Sequence, residues 1–298
     1  MRFFRSLDVV GLTDVGRHRT RNEDAIDFDA SRGIMVLADG MGGHQAGDVA
    51  SELAVLSILA DLKYTLKKRF RFKRMLAERF KPNPIQIKEQ PQSYEAQKML
   101  NAVHSANSLI YQVSQNQAQF SGMGTTLLVS VFAKNKLYVG HVGDSRMYRY
   151  RRQMLEQLTE DHSIVQAQIN AGWLPPEYAK ISVNKNLVTR ALGLDEEVDL
   201  TLNTFDVALG DKYLLCSDGL TDAVHDTQIL SILNQTKKIE ILAQELVRLA
   251  NQQGGKDNIS VILIEVRNRF FSRDRRKNTT SSSSRQPNWL IHWVKQIF

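Results

Sequence analysis

The apolar positions along the chain change period several times, and each change predicts an element. An extended segment from residue 8 leads to Gly33-Ile34-Met35-Val36-Leu37-Ala38, an unbroken apolar run of buried-strand type that stops at Asp39-Gly40-Met41-Gly42-Gly43. From Asp48 to Leu62 the period lengthens, with Ala50, Leu53, Ala54, Ser57 and Ile58 at helical spacing, and the pattern runs on through Leu66 and Phe70. Pro82, Pro84 and Pro91 end it, since proline lacks an amide proton and crowds the preceding turn; residues 81–93 therefore predict an irregular connection. A second helix over 94–118 puts Ala96, Met99, Leu100, Val103, Asn107 and Ile110 on one face.

After Gly122 and Gly124 the pattern turns to strands: Thr125 to Ala133, a Lys134-Asn135 turn, Lys136 to Val142, Arg146 to Tyr150 and Met154 to Leu158. In sequence order these predict an antiparallel meander. Residues 160–196, with Gly172, Pro175, Pro176 and Gly193 among short helical pieces, predict a surface flap. Strands return at Val198 to Val207 and Lys212 to Cys216, joined at Gly210-Asp211; helices fit 226–234 and 238–252, and Ile259 to Val266 closes the pattern as a strand. Hairpins of strands with helices in separate runs predict an α+β protein with antiparallel sheets. Residues 1–267 form the expected catalytic unit, with a basic insertion at about 61–93, and 268–298 a Ser-rich tail without a core.

Composition narrows the class. With 42% hydrophobic and 24% charged residues the chain reads as an ordinary globular protein, and no run approaches the roughly 18 apolar residues of a spanning helix. Met1 to Asp8 returns to charge too early for a signal-peptide core, which predicts a cytoplasmic location. One cysteine, Cys216, excludes an intramolecular disulfide and a cysteine-rich zinc site. The net charge of +7 is unevenly placed: residues 61–81 carry nine cations against Asp61 and Glu78, and 267–298 carry eight against Asp274. The remainder is acidic, so the basic segments are attachments to an acidic core.

That acidity recurs at strand ends: Asn22-Glu23-Asp24, Asp39-Gly40, Gly143-Asp144-Ser145-Arg146, Ser217-Asp218-Gly219 and, just before a strand, Lys256-Asp257-Asn258. An Asp beyond a buried strand sits where backbone pairing ends and a cleft opens, and an adjacent Gly lets the backbone approach a ligand. Converging carboxylates repel unless a cation compensates them, and oxygen-rich sites poor in imidazole select Mg or Mn.

These motifs, with Thr13-Asp14-Val15-Gly16-Arg17-His18-Arg19, Ala38-Asp39-Gly40-Met41-Gly42-Gly43-His44, Gly122-Met123-Gly124-Thr125-Thr126, Leu158-Thr159-Glu160-Asp161-His162-Ser163, Thr189-Arg190-Ala191-Leu192-Gly193 and Cys216-Ser217-Asp218-Gly219-Leu220, resemble in order those of the metal-dependent type 2C serine/threonine protein phosphatases, bacterial branch. The resemblance spans about residues 8–267. It implies a four-layer α-β-β-α sandwich of two antiparallel sheets flanked by helices, with a two-metal centre at one end. Carried over by position, Asp39 would bridge two Mn or Mg ions, Gly40 would lend its carbonyl to one, and Asp218 and Asp257 would complete the site. Glu23 would act through a metal-bound water, Asp144 with Asp218 would hold a third, weaker ion, and Arg19 would clamp the phosphate. The implied reaction is in-line attack of a metal-bound hydroxide on the phosphorus of phosphoserine or phosphothreonine in proteins.

Each placement has a competitor. Arg19 lies among Arg17, His18 and Arg21 in what is otherwise a solvated basic loop; Glu23 and Asp24 would face opposite sides of a strand; Asp144 could cap a turn and pair with Arg146. His44 is either a general acid or a helix-start residue, and Cys216, with Asp222 where a cysteine phosphatase needs arginine, reads as a core residue. Ser182-Val183-Asn184-Lys185-Asn186 departs from the His-Pro-x-Arg-Asn common among relatives. Expected partners are a phosphoprotein substrate of a cognate Ser/Thr kinase, no nucleic acid, and no second copy, the chain being a monomer. The tail segment Trp289 to Phe298 has apolar residues at helical spacing, for peripheral attachment at the inner membrane face or docking on a protein. The alternative function is a weak or inactive phosphatase-like module that binds phosphopeptides or anionic surfaces.

Overall fold

The strands at the centre of each sheet are apolar on both faces, and such strands need a layer above and a layer below. The computed structural model describes residues 6–42, 46–67, 93–176, 178, 182 and 187–268. The elements are β1 (Leu7–Asp14), β2 (Asp24–Asp29), β3 (Ile34–Met41), α1 (Gly47–Lys67), α2 (Tyr94–Asn116), β4 (Gly124–Thr125), β5 (Leu127–Ala133), β6 (Lys136–Val142), β7 (Arg146–Arg151), β8 (Met154–Gln157), α3 (Ile164–Asn170), β9 (Thr201–Asp206), β10 (Lys212–Cys216), α4 (Asp218–Thr221), α5 (Asp226–Leu233), α6 (Ile239–Gln252) and β11 (Ile259–Val266). One sheet has the order β1-β11-β10-β7-β8; the other runs β2-β3-β5-β6-β9, with β4 paired to β3. The expected four-layer α-β-β-α sandwich is observed.

Side-chain alternation sorts the core into three strata. Met35 and Leu37 of β3, Leu128 and Phe132 of β5, Tyr213 and Leu215 of β10, and Ile262 and Ile264 of β11 fill the space between the sheets. Residues of opposite parity, Ile34, Val36, Val129 and Val131, face α1 and α2. Leu214, Cys216, Val261 and Leu263 face α4, α5 and α6. Helix α2 is capped by the Ser93 side chain on the Ala96 amide. It buries Asn107, whose side chain donates to the carbonyls of Asp195 and Glu196 and accepts from the Gly193 amide, anchoring residues 193–196.

Three expectations are corrected. The segment from β5 to β8 is not a meander: β6 belongs to the second sheet and β7 to the first. The chain changes sheet at Gly143-Asp144-Ser145, where Gly143 has φ +98° and a Cβ would lie 2.7 Å from Thr126 Cγ2, so neither the turn nor the space admits a side chain. β9 and β10 likewise lie in different sheets, and Asp211 between them is held by Arg151 and by the Tyr213 hydroxyl. β11, the strand predicted at Ile259–Val266, lies between β1 and β10. The first apolar run also continues beyond its predicted end, because Gly40 and Met41 pair with β4. The basic stretch beyond residue 67, His44, and the tail from 269 lie outside the described residues.

Candidate metal centre

Both sheets deliver carboxylates to one end of the sandwich. β3 carries Asp39 past the last apolar position, and its backbone is fixed there: the Asp39 amide donates to Thr126 Oγ1 at 3.0 Å, and its carbonyl accepts from the Thr126 amide at 2.8 Å and Thr125 Oγ1 at 2.9 Å. Glu23 precedes β2; its carbonyl accepts from the Gly40 amide at 3.1 Å and Ser51 Oγ at 2.6 Å. From the other sheet, Asp218 follows β10 and Asp257 precedes β11. These two loops touch so closely that a Cβ on Gly219 would stand 1.9 Å from the Asn258 carbonyl oxygen. Asp144 comes from the crossing between the sheets, and it is buried.

All seven predicted site residues, Arg19, Glu23, Asp39, Gly40, Asp144, Asp218 and Asp257, line one cavity of about 260 Å³, together with Met41, Gly42, Thr126, Val188 and Asn258. Arg19 is half exposed, and its Nη2 donates to Asp257 Oδ2 at 2.8 Å. Glu23 and Asp24 part as a strand requires: Glu23 reaches the cavity, whereas Asp24 is buried and accepts from Ser217 Oγ at 2.8 Å. Asp144 is not the partner of Arg146, whose guanidinium forks onto Asp161 at 2.6 to 3.1 Å. Cys216 is a core residue, its thiol pushed up to about 12 by burial.

The electrostatics are those of too many carboxylates in too little water. Burial, then the charges of Asp24, Asp218, Asp144 and Asp257, holds the Asp39 carboxyl well above its ordinary range. Burial, then Asp144 and Asp257, does the same to Asp218. Asp144 is raised to about 6, by burial and then by Asp161, and Asp24 to about 6, mainly by burial. Glu23 is raised chiefly by burial, with Arg19 opposing. Asp218 Oδ1 is buried without a hydrogen-bond partner, an expensive state for an oxygen that a cation would satisfy. Among the described residues no three carboxylate, imidazole or thiol side chains already close into a ligand shell. The donor set fits hard divalent cations: it is all oxygen, from several short loops, with no imidazole in the cavity lining.

Three residues were not assigned from sequence. Asn258 ties the site together: its Oδ1 accepts from the Glu23 amide at 2.9 Å, and its Nδ2 donates to the carbonyls of Val15 and Arg21. Thr126 fixes Asp39, and Ser217 joins Asp24 to the Ser260 amide. In the sequence, Asn258 and Ser217 adjoin an Asp, and Thr126 stands two residues after Gly124.

Architecture and cavity together define a cation-dependent enzyme of the α-β-β-α sandwich class. The particular family follows from comparison: a family model of protein phosphatase 2C matches residues 16–263, and the chain belongs to that family. It is 35% identical over 256 residues to the serine/threonine phosphatase stp of Listeria monocytogenes, covering 85% of this chain and 93% of that one. The Mycobacterium tuberculosis serine/threonine phosphatase PstP/Ppp superposes with a TM-score of 0.74 at 35% identity, over 88% of this chain and all of that one. The catalytic domain of PstP in complex with two manganese ions gives a TM-score of 0.72 at 35% identity, over 88% of this chain and 99% of that one.

Proposed function

We propose that the chain hydrolyses phosphoserine and phosphothreonine esters in proteins with Mn or Mg held by Asp39, the Gly40 carbonyl, Asp218 and Asp257, and with Glu23 acting through water. The observation that carries this reading is the convergence of carboxylates from both sheets around a buried, unpartnered Asp218 oxygen. Bound there, two cations would supply charge neutralisation for the phosphoryl oxygens and a nucleophile from water. The protein's own contribution is placement. Backbone bonds to Thr125 and Thr126 hold Asp39 at the floor, Asn258 holds the Glu23 loop against the Asp257 loop, and the two meet across the cavity. Asp257 would help hold a cation, and Arg19, half exposed beside it, would donate to a phosphate oxygen. A third, weaker cation would be held by Asp144 and Asp218, which line the same cavity.

Substrates would be phosphoproteins made by a Ser/Thr kinase. Among the described residues no helix is long and apolar enough to cross a membrane; attachment through the tail is a separate proposal tested below. The inactive binding module is not favoured, because every carboxylate of the cation site is present. Hydrolysis of p-nitrophenyl phosphate and of a phosphothreonine peptide, with manganese and with EDTA, tests the reading: activity only with the cation is expected, and an undiminished rate in EDTA refutes it.

A further inference from the structure

Two motifs, Thr159 to Ser163 and Thr189 to Gly193, have no part in the cation site as described, yet His162 of the first joins it to the second. The crossing that carries Asp144 leaves Gly143 without a strand partner, and His162 supplies both missing bonds. The Gly143 amide donates to His162 Nδ1 at 3.2 Å, and the His162 amide donates to the Gly143 carbonyl at 2.9 Å. Because Nδ1 accepts, the ring proton resides on Nε2, which donates to Thr201 Oγ1 of β9 at 3.0 Å. The ring plane is fixed by stacking on His141, centroids 4.5 Å apart and planes 22° apart; His141 in turn donates from Nε2 to the Glu160 carbonyl at 2.8 Å. On its far side the His162 carbonyl accepts from the Thr189 amide at 2.8 Å, next to Val188, which lines the catalytic cavity.

We infer that His162 is a positioning residue: its neutral Nε2–H tautomer, required by the Gly143 amide and oriented by Thr201, clamps Gly143 and thereby holds Asp144 at the weak cation site and the Val188 segment beside it. The inference rests on the reading of Asp144 as a cation ligand. His162 is not among the residues lining the carboxylate cavity, so its effect is transmitted through the backbone of one residue. It also explains why an imidazole stands at a position where a plain packing residue would fill the space: the amide of Gly143 needs an acceptor, and the acceptor's other nitrogen must be a donor that β9 can fix.

Manganese binding to the EDTA-stripped full-length protein, followed by calorimetry, tests this together with hydrogen exchange of the 143–145 amides in the metal-free state. His162→Leu removes the acceptor; His162→Asn restores it, since Asn Oδ1 takes the place of Nδ1; Thr201→Val leaves the ring but removes the partner that orients its Nε2–H. Losing one such bond is expected to weaken the weakest manganese step about five- to tenfold. The same change should speed exchange at Gly143 in His162→Leu, with His162→Asn close to wild type and Thr201→Val between them. In an Asp144→Ala background His162→Leu should change manganese binding no further. If Asp144→Ala loses an ion while His162→Leu keeps it, or if His162→Asn is as impaired as His162→Leu, the role of His162 is overturned and that of Asp144 stands. If Asp144→Ala binds manganese as the wild type does, the ligand reading of Asp144 fails and the inference falls with it.

Discussion

Replacing Asp144 by asparagine should stabilise the metal-free protein at alkaline pH. Burial and Asp161 raise its carboxyl from 3.8 to about 6, so folding favours the protonated form. The stability contributed by that proton is complete below pH 4 and is lost as the pH rises through 6, where the buried group must ionise beside Asp161 and Asp222. Asparagine keeps the shape of the neutral carboxyl and cannot ionise. A shift of about two units corresponds to about 3 kcal/mol once the pH is well above 6, and to about 1 kcal/mol at pH 4.5. For a domain of this size that is a gain in Tm of roughly 6–12 °C at pH 8. His141 and His162, pushed down by burial, lower stability in the opposite direction as the pH falls below 6.5, but they do so in both proteins and cancel in the difference. The assay is thermal unfolding of both proteins in EDTA from pH 4.5 to 8, repeated with saturating manganese. The gain should grow with pH in EDTA and invert with manganese, because only the wild type then has a full ligand set. An Asp144→Asn protein no more stable than wild type at pH 8 in EDTA refutes the reasoning.

Asp39→Ala and Asp218→Ala should each lower turnover at saturating manganese at least ~100-fold, the size of a lost electrostatic stabiliser, and near-normal turnover would remove them from the site. Arg19→Ala should raise KM for a phosphopeptide about tenfold while changing unfolding free energy by less than about 1 kcal/mol, its pair with Asp257 being largely solvent-screened; a drop in turnover alone would place it elsewhere in the reaction. Cys216, buried with its thiol near 12, should resist iodoacetamide in the folded protein, and rapid loss of activity on alkylation would contradict its core position. Deleting residues 279–298 should abolish co-sedimentation with anionic vesicles if the tail attaches there; equal binding by both forms, or by neither, rejects attachment.

What the sequence revealed and what it hid divide along one physical line. Segments whose pattern is local were legible: the helix predicted over 94–118 is observed at Tyr94–Asn116, those over 226–234 and 238–252 at Asp226–Leu233 and Ile239–Gln252, and the last strand at Ile259–Val266. Allocation of strands to sheets was not, because β6 and β7, or β9 and β10, carry the same apolar runs whichever sheet they join; the decision is made by Gly143 and by the bonds of Asp211. The carboxylates were legible because charge at the end of an apolar run is conspicuous, and all of them reach one cavity. Asn258, Thr126 and His162 were hidden because they act through backbone amides, and a residue whose partner is an amide leaves no complementary residue type to find.

The carboxylates of the cavity come from opposite walls, Asp39 from one sheet and Asp218 and Asp257 from the other, so a cation held as proposed would also be a rivet through the sandwich. The space between those walls is filled by the stratum in which Phe132 of one sheet meets Tyr213 of the other edge to face, centroids 5.3 Å apart. Trimming or enlarging a side chain in that stratum alters the separation of the walls, and with it the fit of the cation. If the cation is held as proposed, a packing change between the sheets should register as an altered affinity for metal, and the metal requirement would become a gauge of how tightly the two sheets are pressed together.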